Sequence, residues 1–385
     1  HYQVKAKDGG LMKGIEINGQ IIRFRNQLIE EDNQMSNKGI AEFLKGKKVD
    51  TKEIYGRIKN KLKQYIDFQK EDEYDLLISW IFHTYLINEF GSTAYIKLGG
   101  NQDVGKSTVM KVCSKMCFKG KFSIIPTSAV LYRSLNNSQN TFFVDEFENQ
   151  NDENKETIIG VLNAGYTKEG CVIERTDTSK KGNFGILKFR AFSPKMFAGI
   201  KDIDIRTLKS RCLEINMLRT TRTNLKNIDL IEEKEAEEFR GLRDDIFIFC
   251  LKNYEVIIEN FSKINGDMSS RKGQILKPLL AISMVFNKDS SIRDYYNQTI
   301  KEELHEDTLH DWNYGILGIL YDFVKNNKPE LTIQEITEAF QLTLPEYLRI
   351  KVNPNRVGIM LKRLGVNINK RRTGKDTLYS FTKEQ

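Results

Sequence analysis

Apolar and polar residues follow two different periods along this chain, and the places where the period changes mark its elements. Residues 15–24 alternate on either side of Asn18-Gly19, which predicts a β-hairpin with a tight type I′ turn. Residues 36–43 and 51–68 carry helical spacing, and 74–90 is a strongly apolar helix that includes Leu76, Leu77, Trp80, Ile81, Tyr85 and Leu86. A short apolar strand at 94–98 runs into a glycine-rich turn and then an amphipathic stretch over 108–118. Strands are predicted at 122–125, 141–144, 170–175, 184–190 and 195–200 and at the end of 208–215, with helices at 127–135 and 157–165. Beyond them 232–261 and 270–286 read as helices, then 311–325, 333–340 and 355–364, then strands at 366–369 and 377–381. Strands alternating with helices predict an α/β fold built on a parallel sheet. The pattern divides the chain into an N-terminal hairpin and helical collar (1–72), an α/β core (73–225), a helical lid (226–308) and a C-terminal domain (309–385).

The turn after the first core strand carries specific chemistry. Gly100 to Ser107 fits G-x-x-x-x-G-K-[ST], the phosphate-binding P-loop. Its glycines let backbone N–H groups curl around phosphate oxygens, and the helix that follows points its positive end at the anion. Gly100, Asn101, Gln102, Asp103, Val104, Gly105, Lys106, Ser107 and Thr108 are therefore the candidate nucleotide site. Lys106 is expected on the β- and γ-phosphates and the Ser107 hydroxyl on Mg²⁺. A P-loop needs a second, acidic motif, and Thr141-Phe142-Phe143-Val144-Asp145-Glu146 supplies it. Asp145 is expected to hold Mg²⁺, and Glu146 to orient and polarise the attacking water, with Glu148 a weaker candidate. ATP and Mg²⁺ are the implied ligands.

Composition narrows the class. The 385 residues carry a formal charge of +8, with 29% charged and 10% aromatic residues, as befits a globular chain rather than a disordered one. The positive balance permits a nucleic-acid partner. No apolar run reaches the roughly 18–20 residues that a membrane span needs. Cys113, Cys117, Cys171, Cys212 and Cys250 are odd in number and scattered, which predicts buried reduced thiols and a cytosolic setting. His83, within an apolar helix, reads as a hydrogen-bonded core histidine, and His305 and His310 flank an expected linker or lid end. The chain opens with His1 rather than Met, so a piece of a longer polypeptide is expected.

The order of motifs resembles the AAA+ ATPases of the superfamily 3 and MCM-like helicase groups, and more closely the helicase part of phage and plasmid primase-polymerase replication proteins. The residues that carry it are Gly100 to Ser107, Val144-Asp145-Glu146, Ala164-Gly165-Tyr166 through Arg175, Phe192 to Ile200, and Ser210-Arg211. It spans about residues 74 to 286, with a hairpin inserted between the acidic strand and the next core strand. The resemblance implies a ring, usually a hexamer, with ATP at subunit interfaces. Arg211 is then the arginine finger, with Arg206 the second choice, and Arg271 at the start of a lid helix resembles sensor 2, reaching the γ-phosphate of its own subunit's nucleotide. Lys180 and Lys181 sit at the tip of the inserted hairpin and suit contacts to a DNA backbone. The family's usual Asn at the end of the fourth core strand is missing from Phe197-Ala198-Gly199-Ile200-Lys201-Asp202, and Lys201 is the substitute considered. An upstream primase-polymerase domain in the same polypeptide is also implied.

The last 77 or so residues look like a winged helix, three helices followed by a basic hairpin, with Asn353 or Asn355 capping the third helix and Pro354 at its start. Arg356, Lys362 and Arg363 on that helix, and Lys370, Arg371 and Arg372 at the tip of the wing, are the candidate DNA contacts. The function that follows is an ATP-dependent DNA helicase of phage or plasmid replication, a homo-hexameric ring translocating on single-stranded or forked DNA in the cytoplasm of a prokaryotic host. The competing reading is a nucleotide-switched DNA-binding initiator or regulator that does not unwind. A protein-remodelling ATPase would call for an aromatic pore loop, and none is seen.

Overall fold

Ala94, Tyr95, Ile96 and Leu98 expose almost nothing to solvent, and a strand apolar on both faces belongs inside a sheet that is covered on both sides. A computed structural model places it there. It describes residues 14–17, 20–23, 35–123, 140–145, 152–177, 185–198, 206–264, 268, 270–310, 312–326, 330–344, 346–349, 352–363, 369–373 and 376–380. By contacts the chain divides into two compact units, His1–Asp294 and Tyr295–Gln385.

The first unit begins with an antiparallel hairpin, β1 (Gly14–Ile17) and β2 (Gln20–Arg23), in which Ile17 pairs with Gln20 across the Asn18-Gly19 turn. Three helices follow: α1 (Asn37–Leu44), α2 (Thr51–Tyr65) and α3 (Glu71–Tyr85). Ser36 caps α1 and Asp50 caps α2, each side chain accepting from the third helical N–H. Then come β3 (Tyr95–Gly99), α4 (Lys106–Met116), β4 (Gly120–Ser123), β5 (Thr141–Val144) and α5 (Asp152–Ala164). The strands β6 (Val172–Asp177) and β7 (Gly185–Arg190) pair with each other alone, and β8 (Lys195–Ala198), α6 (Arg206–Lys209) and β9 (Cys212–Asn216) close the core. The main sheet has five strands in the order β4-β5-β8-β3-β9, and every neighbouring pair is parallel.

Each face of that sheet has its own cover. Tyr95, Phe142, Val144, Phe197 and Cys212 join Ile158, Val161 and Leu162 of α5 in one buried cluster. Pleating sends the alternate residues the other way, and there Phe143 meets Trp80 of α3 edge-on at 6.0 Å. Behind α3 stand two long helices, α7 (Glu233–Lys263) and α8 (Arg271–Val285). Phe82, Phe249 and Phe286 lock them to α3 with ring centroids 4.9–5.2 Å apart. The N-terminal helices are tied to α7 as well: Ser36 donates its backbone N–H and hydroxyl to Asp244, Arg57 pairs with Asp245 at 2.6 Å, and the buried Lys61 pairs with Glu238 at 2.6 Å. Collar and lid helices thus form one layer on one face of the sheet.

A helix α9 (Asp289–His310) runs across the boundary between the units, where the sequence suggested a linker near His305 and His310. Beyond it the second unit holds α10 (Trp312–Lys325), β10 (Glu330–Thr332), α11 (Ile333–Thr343), α12 (Glu346–Arg349), α13 (Pro354–Arg363), β11 (Asn369–Thr373) and β12 (Asp376–Ser380). Its antiparallel sheet runs β10-β12-β11. Ile316, Leu331, Ile336, Phe340, Val357 and Leu361 fill its core, and Gly315 lets the Phe340 ring approach α10 where a Cβ would stand 2.6 Å from it. Asn353 accepts the Arg356 N–H at 2.9 Å, so Asn353 is the cap and Pro354 the first helical residue. Lys370, Arg371 and Arg372 lie within β11, paired with Tyr379, Leu378 and Thr377, instead of forming the wing tip. Thr373 pairs with Asp376 at the end of the ladder.

One buried group makes stability depend on pH. His83 is fully buried, with Nε2 2.9 Å from the Thr93 hydroxyl and its ring against Phe90, and desolvation lowers its pKa to about 3. The folded chain holds this ring neutral while the unfolded chain protonates it near pH 6.5, so the stability it supports is complete above that pH and is lost as pH falls towards 3. Between pH 7 and 5 the loss from this residue should be about 2 kcal/mol. Urea midpoints over that range should fall less steeply for His83→Gln than for the parent chain, and equal slopes would remove His83 from the account.

Candidate nucleotide site

Three left-handed residues shape the loop between β3 and α4. Gly100 has φ +119°, Asp103 +59° and Gly105 +92°, and a Cβ at Gly100 would collide with the Met217 carbonyl oxygen. Met217 in turn donates its N–H to the Gly99 carbonyl at 3.0 Å, which ties the loop to the end of β9. Gly105 caps α4 without any side-chain hydrogen bond, and the first turn of that helix carries no acid. Its first N–H groups and its dipole are therefore available to an anion. Lys106 donates from Nζ to the carbonyls of Gly100 (2.8 Å) and Asn101 (2.6 Å), so its ammonium spans the mouth of the loop. The curled backbone, uncapped helix start and bridging ammonium fit the phosphates of a nucleoside triphosphate.

The acidic motif leaves the sheet at the same edge. All four residues of β5 are buried, and Asp145 directly after them is only 9% exposed. Val144 is level with Phe197 of β8, which is level with Lys97 of β3. Asp145 therefore emerges two strands, or about 10 Å, to the side of the P-loop strand. The Ser107 hydroxyl on α4 and this carboxylate are hard oxygen donors of the kind Mg²⁺ takes. Glu146, Glu148 and Lys201 lie outside the described residues, and no side chain is described for Arg206.

Arg211 and Arg271 occupy the opposite edge. Cys212 is level with Tyr95 and Asn216 with Gly99, so Arg211, which precedes Cys212, stands about 16 Å from the loop along the strand. Its guanidinium carbon is 4.6 Å from the centre of the Tyr166 ring, and that of Arg271 is 5.8 Å from the same ring. Arg271 also donates from Nη1 to the Ser210 hydroxyl at 3.1 Å. Arg271, expected on the γ-phosphate of its own subunit's nucleotide, thus stands beside Arg211 in this structure. The start of α8 is held at the entry end of β3, where the Ser92 hydroxyl donates to the Gln274 carbonyl at 2.9 Å. Beside this pair Ser92, Thr167, Lys168, Gln274 and Lys277 line a recess of about 810 Å³. Tyr166 itself was not singled out from the sequence for a role; its signal was an aromatic residue placed between the end of α5 and the inserted hairpin.

That hairpin is rooted at the same edge. The Ala191 N–H donates to the Cys171 carbonyl at 2.8 Å, and β6 and β7 pair from Val172 and Arg190 outward. Ile186 and Leu187 are exposed along it. Its exit is clamped by Lys195, a buried lysine that donates to the carbonyls of Ala191 (2.8 Å) and Ser193 (3.0 Å). Burial pushes the pKa of this amine down to about 7. The tip with Lys180 and Lys181 lies outside the described residues. In the second unit Arg356 is exposed and packs its guanidinium 4.5 Å from the Trp312 ring, Lys362 and Arg363 belong to the last turn of α13, and Lys370 to Arg372 belong to β11. The five cysteines are buried free thiols, and no cluster of metal-binding side chains occurs among the described residues.

No protein-family model matches the chain, and no curated protein matches it. Among solved structures it is similar to an active helicase, Cch of SCCmec type IV, at 14% identity and a TM-score of 0.44, over 84% of this chain and 70% of that one. It is also similar to the NrS-1 C-terminal region at 14% identity and a TM-score of 0.38, over 98% of this chain and 83% of that one. Cdc6p from Pyrobaculum aerophilum is similar at 12% identity and a TM-score of 0.25, over 82% of this chain and 90% of that one.

The loop geometry makes a direct prediction. Gly100→Ala forces both a positive φ and a collision with Met217, and should weaken ATP binding about tenfold or more. Lys106→Ala should lose binding as well. Titration with a fluorescent ATP analogue checks both, and wild-type affinity in the two variants would remove the loop from the site.

Proposed function

We propose that this chain is an ATP-dependent DNA helicase of replication, working as a homo-oligomeric ring that translocates on single-stranded or forked DNA. The observation that carries the reading is the separation of the P-loop from the arginine pair. They sit at opposite edges of one parallel sheet, so a site that uses both takes them from two copies of the chain. A ring, with six members by resemblance, repeats that arrangement at every interface.

Within the site each residue has one task. Backbone N–H groups of the loop and Lys106 bind the phosphates, and the Ser107 hydroxyl and Asp145 would hold Mg²⁺. An ion held there would offset the charge of the phosphate oxygens. Glu146 orients and polarises the attacking water, and Arg211, with Arg271 beside it, meets the γ-phosphate of the neighbouring copy as negative charge builds there. DNA is gripped through its backbone by Lys180 and Lys181 on the inserted hairpin. The second unit, with its three helices and a β10-β12-β11 sheet, is read as a winged helix that adds Arg356, Lys362, Arg363, Lys370, Arg371 and Arg372.

Two experiments test this. Arg211→Ala should bind ATP yet turn it over about 10³-fold more slowly, and mixing it with Glu146→Gln chains should restore part of the activity. Absence of rescue would place Arg211 in its own subunit's site. Replacing Lys180 and Lys181 together by Ala should abolish forked-duplex unwinding and the stimulation of ATP turnover by DNA. If the parent chain binds DNA in an ATP-dependent way and never unwinds a fork, the initiator reading takes its place.

A further inference from the structure

The two arginines share one support. Tyr166 lies half-buried at the end of α5, and its ring takes the Arg211 guanidinium at 4.6 Å and that of Arg271 at 5.8 Å. Two like charges gathered at one edge repel each other, and a ring face offers negative quadrupole to both without neutralising either. The support is fixed from the same strand entry that fixes Arg211. The Thr93 N–H donates to the Tyr166 carbonyl at 2.8 Å, and two residues on the Tyr95 N–H donates to the Arg211 carbonyl at 3.3 Å. Gly165 lets the hairpin's exit pass against this turn, since a Cβ there would collide with the Ala191 carbonyl.

We propose that Tyr166 is the positioning residue of the arginine pair, its ring holding both Arg211 and Arg271 so that they reach a neighbouring copy's triphosphate together. The role rests on the reading of Arg211 as acting in trans. Tyr166 touches neither nucleotide nor DNA in this account; it acts through the two guanidiniums, and its position five residues before Cys171 sets them on the root of the hairpin.

The test uses the full chain with forked DNA and measures kcat and KM for ATP, with thermal melting of every variant as a control for folding. Tyr166→Leu removes the ring face and should lower kcat about tenfold with KM unchanged, the scale of a lost cation–π contact to a catalytic cation. Tyr166→Phe keeps the face and should restore turnover. The double variant Tyr166→Leu with Arg211→Ala should be no slower than Arg211→Ala alone. Tyr166→Met is carried alongside, so that a leucine that disturbs the fold leaves a second test. Wild-type kcat in both ring-less variants, while Arg211→Ala has lost turnover, would overturn the role of Tyr166 and leave the site reading intact. A Tyr166→Phe variant as slow as Tyr166→Leu would overturn it too, because the hydroxyl would then be what matters. Full turnover in Arg211→Ala would instead overturn the reading of the arginine on which the role rests.

Discussion

A strand of five residues is about 16 Å long, and that length governs what this chain can do by itself. The sheet holds the phosphate loop where β3 ends and the arginines where β9 begins. Parallel pairing makes the separation unavoidable, because every strand enters at one edge and leaves at the other. An arginine side chain spans about half of that distance at most. Within one copy the arginines therefore do not reach the loop, whose own cation is Lys106. The separation is set by backbone geometry, through the pairing of β3 with β9.

The helical layer covers one face of the sheet between those ends. Trp80 of α3 meets the sheet at Phe143, and Phe82 meets Phe249 and Phe286 of the long helices. Arg57 with Asp245, Lys61 with Glu238 and Ser36 with Asp244 join helices far apart in sequence. These contacts stand partly out of water, where a charged pair is screened less than at the surface. The result is that the start of α8, and with it Arg271, is held at the sheet's entry edge.

Legibility varied with the kind of signal. The P-loop strand, the acidic strand and both long helices were readable because buried strands and amphipathic helices leave strong periodic marks. Sheet order was not readable, since it depends on pairings between residues as distant as Tyr95 and Cys212. Arg271 was recognisable as a first-turn arginine, yet the element that it would face was set by the packing of α8 on Ser92, a contact 182 positions away in sequence. In the second unit the basic run Lys370 to Arg372 read as a loop because cations are common at tips, whereas pairing with Thr377, Leu378 and Tyr379 makes them strand residues. Asn353 was within reach of the sequence as a cap, and only geometry chose it over Asn355.

Lys195 extends the argument to the hairpin. A buried amine with two carbonyl acceptors, whose pKa is pushed down to about 7, destabilises the folded chain at neutral pH relative to an apolar side chain of similar shape. The carbonyls it satisfies belong to Ala191 and Ser193, the residues through which the hairpin rejoins the core. On the entry side of the hairpin, Gly165 and Tyr166 sit against Ala191 and the arginines respectively. The hairpin's root and the two arginines are thus gathered at one end of the sheet.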